Sequence, residues 1–202
     1  MRIGIFGGTF NPIHTGHAII ASHLVQSGVV DQLWLMVSPL NPFKQGQEFE
    51  VSDSQRLRMA EMVSRQLDGV VTSAFEFSMP RPSYTIDTLK ALSVKFPDDE
   101  ICLVIGADNW EAFDRWRSAD EILANYHIIV YPRLNHEVTI PQHLQDRVTL
   151  ADAPVIEISS TAIRQMIADG HDVRYWVPDE VLGYINRHGL YRGASSTSTQ
   201  QK

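Results

Sequence analysis

The stretch GIFGGTFNPIHTGH, residues 4–17, gathers residue types that can hold an anion. Gly7 and Gly8 lack a Cβ, so the backbone there can approach a ligand closely. Pro12 stiffens the segment that follows. His14 and His17 stand three residues apart at the start of a segment with helical period, so their rings can share one face. A helix start also presents unpaired N–H groups and the positive end of the helix dipole. Two imidazoles beside such amides suit a phosphate chain. The pair could instead supply two ligands of a zinc ion, although no third lies nearby, or simply cap the helix. The run is neither the G-x-G-x-x-G dinucleotide fingerprint nor a Walker loop, which needs Gly-Lys-Ser/Thr.

EISSTAIR, residues 157–164, lies roughly 140 residues downstream, after a β-like run and at a helix start. Ser159, Ser160 and Thr161 offer hydroxyls and first-turn amides. Arg164 adds a planar, permanently charged fork of donors that fits phosphate. A plain serine cap with a surface arginine is the competing reading. The two junctions gain weight together, because a parallel sheet brings its strand-to-helix junctions to one edge.

GGTFNPIHTGH resembles the T/H-x-G-H signature of the nucleotidylyltransferase superfamily, and ISSTAIR resembles its second signature, ISST-x-I-R. More closely, the first segment is similar to the GGTF-(D/N)-P-x-H-x-G-H opening of bacterial nicotinate-nucleotide adenylyltransferases. That family often carries Asp where this chain has Asn11. RPSYTIDTL (81–89) and WVPDEVLGYINRHGLY near the C-terminus resemble the same family, so the likeness runs from Ile3 to about Tyr191.

The resemblance implies adenylyl transfer from ATP to nicotinate mononucleotide, giving deamido-NAD and pyrophosphate in NAD biosynthesis. By that resemblance His14, His17, Lys44 and Arg164 are catalytic. ATP contacts fall to Gly7, Gly8, Thr9 and Phe10, to the two histidines, to Gly106 and Asp108, and to Ser159, Ser160, Thr161 and Arg164. Lys44, Thr85, Asp108, Trp116 and Arg133 would meet the mononucleotide. Thr85 sits by the nicotinate carboxylate, and Trp116 stacks on the pyridine ring. Mg²⁺ is expected on ATP oxygens and water, with no protein ligand set.

The residues themselves leave bland alternatives. Lys44 in SPLNPFKQ, taken alone, reads more often as a solvated loop lysine. Tyr84 beside Thr85 reads as core packing, Trp110 as a packing residue, and Arg133 as a surface residue. Nicotinamide mononucleotide, phosphopantetheine or a CTP substrate are rival chemistries. A nucleotide-binding regulator without catalysis is a rival of another class.

The elements that must position these groups appear as short apolar runs alternating with helix-period segments. Strands are expected at 2–8, 32–37, 70–77, 100–106, 127–131 and 154–158. EICLVIG (100–106) is apolar almost throughout and therefore central. Helices follow each of the first four. The first places Ile19, Ile20, His23 and Leu24 near one face and stops at Gly28. The second opens on a capping box, Ser52 with Gln55, and another box is expected at Ser118 with Glu121. In the third, Ile86, Leu89, Leu92 and Phe96 share a face. Late helices begin near Thr161 and at Pro178. This alternation predicts an α/β fold: a doubly wound, Rossmann-like parallel sheet with helices on both faces and a short helical C-terminal segment. A single domain is expected over 1–192, with a polar, disordered tail over 193–202.

Bulk properties narrow the function classes. Apolar residues make up 44% and charged residues 20%, as in ordinary soluble proteins. No run approaches the roughly 18 apolar residues of a membrane span. The formal charge of −7 argues against a nucleic-acid partner, which calls for a basic face. The lone cysteine, Cys102, reads as a buried apolar residue, and its being alone points to a cytoplasmic setting. Homo-oligomerisation is left open.

Overall fold

The computed structural model describes residues 1–39 and 51–192. The expectations for Lys44 and for a disordered tail over 193–202 lie outside the described residues.

The chain alternates strand and helix: β1 (Arg2–Gly8), α1 (Thr15–Gln26), β2 (Gln32–Val37), α2 (Asp53–Ser64), β3 (Val70–Ser73), α3 (Thr85–Lys95) and β4 (Glu100–Gly106). It continues through α4 (Ala107–Glu111), α5 (Ala119–Asn125), β5 (His127–Tyr131), β6 (Val148–Leu150), α6 (Ser160–Ala168) and α7 (Asp179–His188). The strands form one sheet in the order β3-β2-β1-β4-β5-β6. All five pairings are parallel. This is the doubly wound topology the alternation predicts, and β4 is central beside β1.

Side-chain alternation along the strands feeds two cores. Phe6, Leu33, Leu35, Cys102, Val104 and Ile129 face α1, α2, α6 and α7. Ile3, Ile5, Ile101, Leu103, Ile105 and Ile128 face α3 and α5. Both faces are therefore covered, which is why the central strands read as unbroken apolar runs. Cys102 is fully buried and unpaired, and burial pushes its thiol up to about 12. Gly28 ends α1 with φ +72°, a conformation that favours glycine. The Ser52–Gln55 capping box forms as expected.

Four local expectations are corrected. The strand expected over 70–77 stops at Ser73, and Phe75–Ser78 forms a 3-10 turn. The turn carries Glu76 inward, where hydroxyls can satisfy its carboxylate. The sixth strand is Val148–Leu150, paired to β5, and not 154–158. The apolar side chains Ile156 and Ile158 pack instead beside the histidine pair. Ser118 adopts a left-handed φ of 56° and makes no side-chain cap bond, so the second capping box does not form. Ile19 points outward; the buried face of α1 is Gly16, Ile20, Ala21 and Leu24.

Candidate active site

The strand order reverses between β1 and β4, and a crevice opens at the carboxyl ends of strands at such a point. A cavity of about 440 Å³ lies there, lined by Gly7 and Gly8 of β1 and Gly106 of β4. Each glycine matters differently. A Cβ on Gly7 would meet no atom within 4 Å, so the main chain there borders open space. A Cβ on Gly8 would press on the Phe10 ring at 3.0 Å. On Gly106 it would lie 2.4 Å from Asp108 Oδ1 and 3.0 Å from the Tyr131 hydroxyl.

The far wall of the cavity belongs to α3 and the turn after α4. Thr85 is the first residue of α3, with Tyr84 as its cap, and both line the space with Trp116. The Arg117 guanidinium sits 4.4 Å from the Tyr84 ring centre, a cation–π contact. Trp116 packs on Phe113 with ring centres 5.4 Å apart. Trp110 also stacks on Phe113 and donates to the Thr139 carbonyl, the packing role allowed for it from sequence.

A smaller cleft shares Phe6 and Tyr131 with the main cavity and holds His14, His17 and Arg133. The two imidazoles stack with centres 3.6 Å apart and planes 23° apart. The His14 N–H donates to His17 Nδ1 at 3.2 Å. Because that nitrogen accepts, a neutral His17 carries its proton on Nε2. His14 is buried, and its Nδ1 has no hydrogen-bond partner among the described residues. Burial, then the nearby Arg133 charge, pushes the His14 imidazole down to about 3, so it is neutral at pH 7. Phe10 is buried with φ 46° and sets its ring edge-on to His17, with centres 5.0 Å apart. Its side chain thus shapes the loop from the core.

The second junction docks directly onto the first. Ser159 caps α6 by accepting from the Ala162 N–H at 3.1 Å. Ser160 Oγ donates to the Pro12 carbonyl at 2.8 Å. Arg164 donates to the Asn11 carbonyl at 2.7 Å and to Thr161 Oγ1 at 3.3 Å. Asn11 itself is buried, and its Oδ1 accepts from the Tyr191 hydroxyl at 2.7 Å. The side chain that stands where relatives often carry Asp is thus committed to the fold. Among the described residues, no group of three or more His, Cys, Asp or Glu could hold a metal ion.

Asp108 and Arg133, expected at the mononucleotide, form a 3.6 Å ion pair and lie outside the main cavity lining. Lys44 lies outside the described residues. Arg56 and Glu76 are among the charged residues missed from sequence. Arg56 is fully buried in α2 and donates to the carbonyls of Thr9 and Ser38. Its spacing with Met59, Ala60 and Val63 on the buried helix face was a legible signal. Glu76 lines the cavity and accepts from three hydroxyls, and nothing in the local sequence marks it.

A doubly wound sheet whose switch point carries stacked histidines and a docked Ser-Ser-Thr/Arg helix start defines the class: a Rossmann-like nucleotidyltransferase. A family model described as cytidylyltransferase-like matches residues 5–166. A probable nicotinate-nucleotide adenylyltransferase of Flavobacterium johnsoniae is 39% identical over 195 residues, spanning 95% of this chain and 100% of the relative. One from Bacteroides fragilis is 43% identical over 184 residues, spanning 91% and 90%. The chain belongs to the nicotinate-nucleotide adenylyltransferase family. The fold matches the Plasmodium falciparum nicotinic acid mononucleotide adenylyltransferase complexed with NaAD, with a TM-score of 0.78 at 18% identity, over 94% of this chain and 97% of that one.

Proposed function

We propose that this protein transfers the adenylyl group of ATP to nicotinate mononucleotide, giving deamido-NAD and pyrophosphate, as a cytoplasmic step of NAD biosynthesis. The 5′-phosphate oxygen of the mononucleotide attacks the α-phosphorus of ATP in line. The bond from that phosphorus to the β-phosphate bridge breaks, and pyrophosphate leaves with the electron pair. The attacking phosphate is already anionic near neutral pH, so alignment and charge neutralisation carry the catalysis.

One observation carries this reading: Arg164 and Ser160 bond to the carbonyls of Asn11 and Pro12, immediately before the stacked histidines. His17 donates from Nε2 to the α-phosphate region. Arg164 and the first turn of α6 hold the departing pyrophosphate. Thr85 and the α3 amino terminus face the nicotinate carboxylate, and Trp116 stacks on the pyridine ring. Lys44, by family resemblance, holds a phosphate. The loop offers imidazole and guanidinium donors, which do not suit a hard cation; Mg²⁺ bound through ATP oxygens and water would supply the neutralisation of phosphate charge there.

The test is ATP-dependent turnover with nicotinate and nicotinamide mononucleotides in parallel, reading both dinucleotide and pyrophosphate. Faster turnover with nicotinate is expected. Preference for the amide would replace the acceptor, and no pyrophosphate from either would remove the activity.

A further inference from the structure

Glu76 is buried in the cavity wall, with 7% of its surface exposed. A carboxylate taken from water needs donors to offset its lost hydration. Among the described residues its donors are three hydroxyls from two parts of the chain. Ser38, just past β2, donates at 2.6 Å. Ser83, in the loop before α3, donates at 3.2 Å, and Thr88, inside α3, at 2.8 Å. Two of these partners belong to the segment that presents Thr85.

Ser38 extends the connection to the other half of the site. Its N–H donates to the Gly8 carbonyl at 2.9 Å. Its carbonyl accepts from Arg56 at 2.9 Å, and the same guanidinium nitrogen reaches the Thr9 carbonyl. A second strand of the network runs beside this one. Arg56 also bonds Asp53 at 2.6 Å, and Asp53 takes Arg81 of the loop before α3 at 3.0 Å. Thr88, Glu76, Ser38, Arg56 and Thr9 therefore form one continuous polar chain from α3 to the loop after β1.

We infer that Glu76 is a positioning residue that ties the acceptor wall, through Ser38 and Arg56, to the main chain of the phosphate loop. Its role as an aligner of two substrates rests on the function proposed above. It acts through other groups and does not touch the reacting atoms. In-line transfer depends on how the two substrates sit relative to each other, and a slip of an ångström between such half-sites costs rate steeply. The bonds from α6 to the carbonyls of residues 11–12 hold the phosphate loop from its other end, so loss of the Glu76 chain bears on the acceptor wall more than on ATP.

Wild type, Glu76→Gln, Glu76→Ala and Ser38→Ala are compared by steady-state kinetics and by amide hydrogen exchange without ligand. Glu76→Ala is expected to lower kcat by about 10- to 100-fold and raise KM for the mononucleotide, with KM for ATP nearly unchanged. Glu76→Gln keeps an acceptor oxygen and the shape, and recovers most of the loss. In exchange, Glu76→Ala speeds the amides of 83–88 and of 8–10 together while α7 is unaffected. Ser38→Ala speeds 8–10 and leaves 83–88 protected. Wild-type kinetics in Glu76→Ala overturns the inference. So does faster exchange at 83–88 alone, or equal damage to both KM values without rescue by Gln. A wild type that adenylylates no pyridine mononucleotide ends the functional reading instead, and the exchange pattern then decides the polar chain by itself. Should Glu76→Ala not fold, Ser38→Ala decides alone: faster exchange at 8–10 with 83–88 still protected supports the chain, and wild-type exchange at 8–10 overturns it.

Discussion

The Arg164 guanidinium donates to the Asn11 carbonyl at 2.7 Å, joining segments 153 residues apart. This single contact puts the start of α6 beside the histidine loop. It also divides the guanidinium's work, since a second nitrogen reaches Thr161. A lysine has one compact ammonium and cannot serve both directions. Arg164→Lys is therefore expected to raise KM for ATP by about tenfold, a typical loss for one charge-assisted bond. Titration of initial rates against ATP at saturating mononucleotide checks this, and an unchanged KM would detach Arg164 from the triphosphate.

His17→Ala removes a donor held in place by its own bond to the His14 backbone. Loss of one preorganised donor to a developing charge costs about 10²-fold or more in kcat. Single-turnover kinetics should show that loss in the chemical step, with substrate binding intact.

His14 predicts a pH dependence of stability. Burial, then Arg133, holds its folded-state value down at about 3, against 6.5 in the unfolded chain. Between those values the unfolded chain binds the extra proton, so stability falls as pH falls. The His14 contribution is fully present above pH 6.5 and is lost progressively toward about pH 3. Melting temperature from pH 7 to pH 4 in the ligand-free protein should decline, and His14→Asn should decline less steeply. Equal slopes would refute a buried neutral imidazole.

Trp116→Ala is expected to raise KM for the mononucleotide by about tenfold while kcat changes little, the usual scale for losing one stacked ring. KM for ATP serves as the internal control. A kcat effect larger than the KM effect would mean that Trp116 shapes the transition state and not the binding pocket.

Gly106→Ala places a Cβ 2.4 Å from Asp108 Oδ1, which must move, and 3.0 Å from the Tyr131 ring and hydroxyl, a tight contact. Tyr131 is buried and the Asp108 carboxylate must turn away from the added Cβ, so the change is expected to cost about 1–3 kcal/mol of stability. Denaturant unfolding measures it. Activity should fall further than the stability loss explains, because Gly106 also lines the cavity.

The residues with phosphate chemistry were legible because each falls at or near a helix start, α1 for the histidines and α6 for the serine and arginine. His14, His17, Ser159 and Arg164 belong to this group. Thr85 and Trp116 were legible through family resemblance, and the structure seats both in one cavity. Glu76 was not legible. It lies in a stretch with the alternation of a strand, and the three hydroxyls that turn it inward come from Ser38, Ser83 and Thr88. The false strand at 154–158 fails for a similar reason. Apolar alternation marks a segment for burial, but the edge beside β5 is occupied by Val148–Leu150.

Strand and helix periods, the glycines that end β1 and β4, and the two junction motifs follow from the sequence alone, because period and backbone sterics are local properties. The partners of Arg56, Glu76 and Asn11, the stacking of the two imidazoles, and the lowered basicity of His14 belong to the tertiary structure. Each of these depends on which distant groups share a dry, crowded space, and burial of charge is set by all neighbours together.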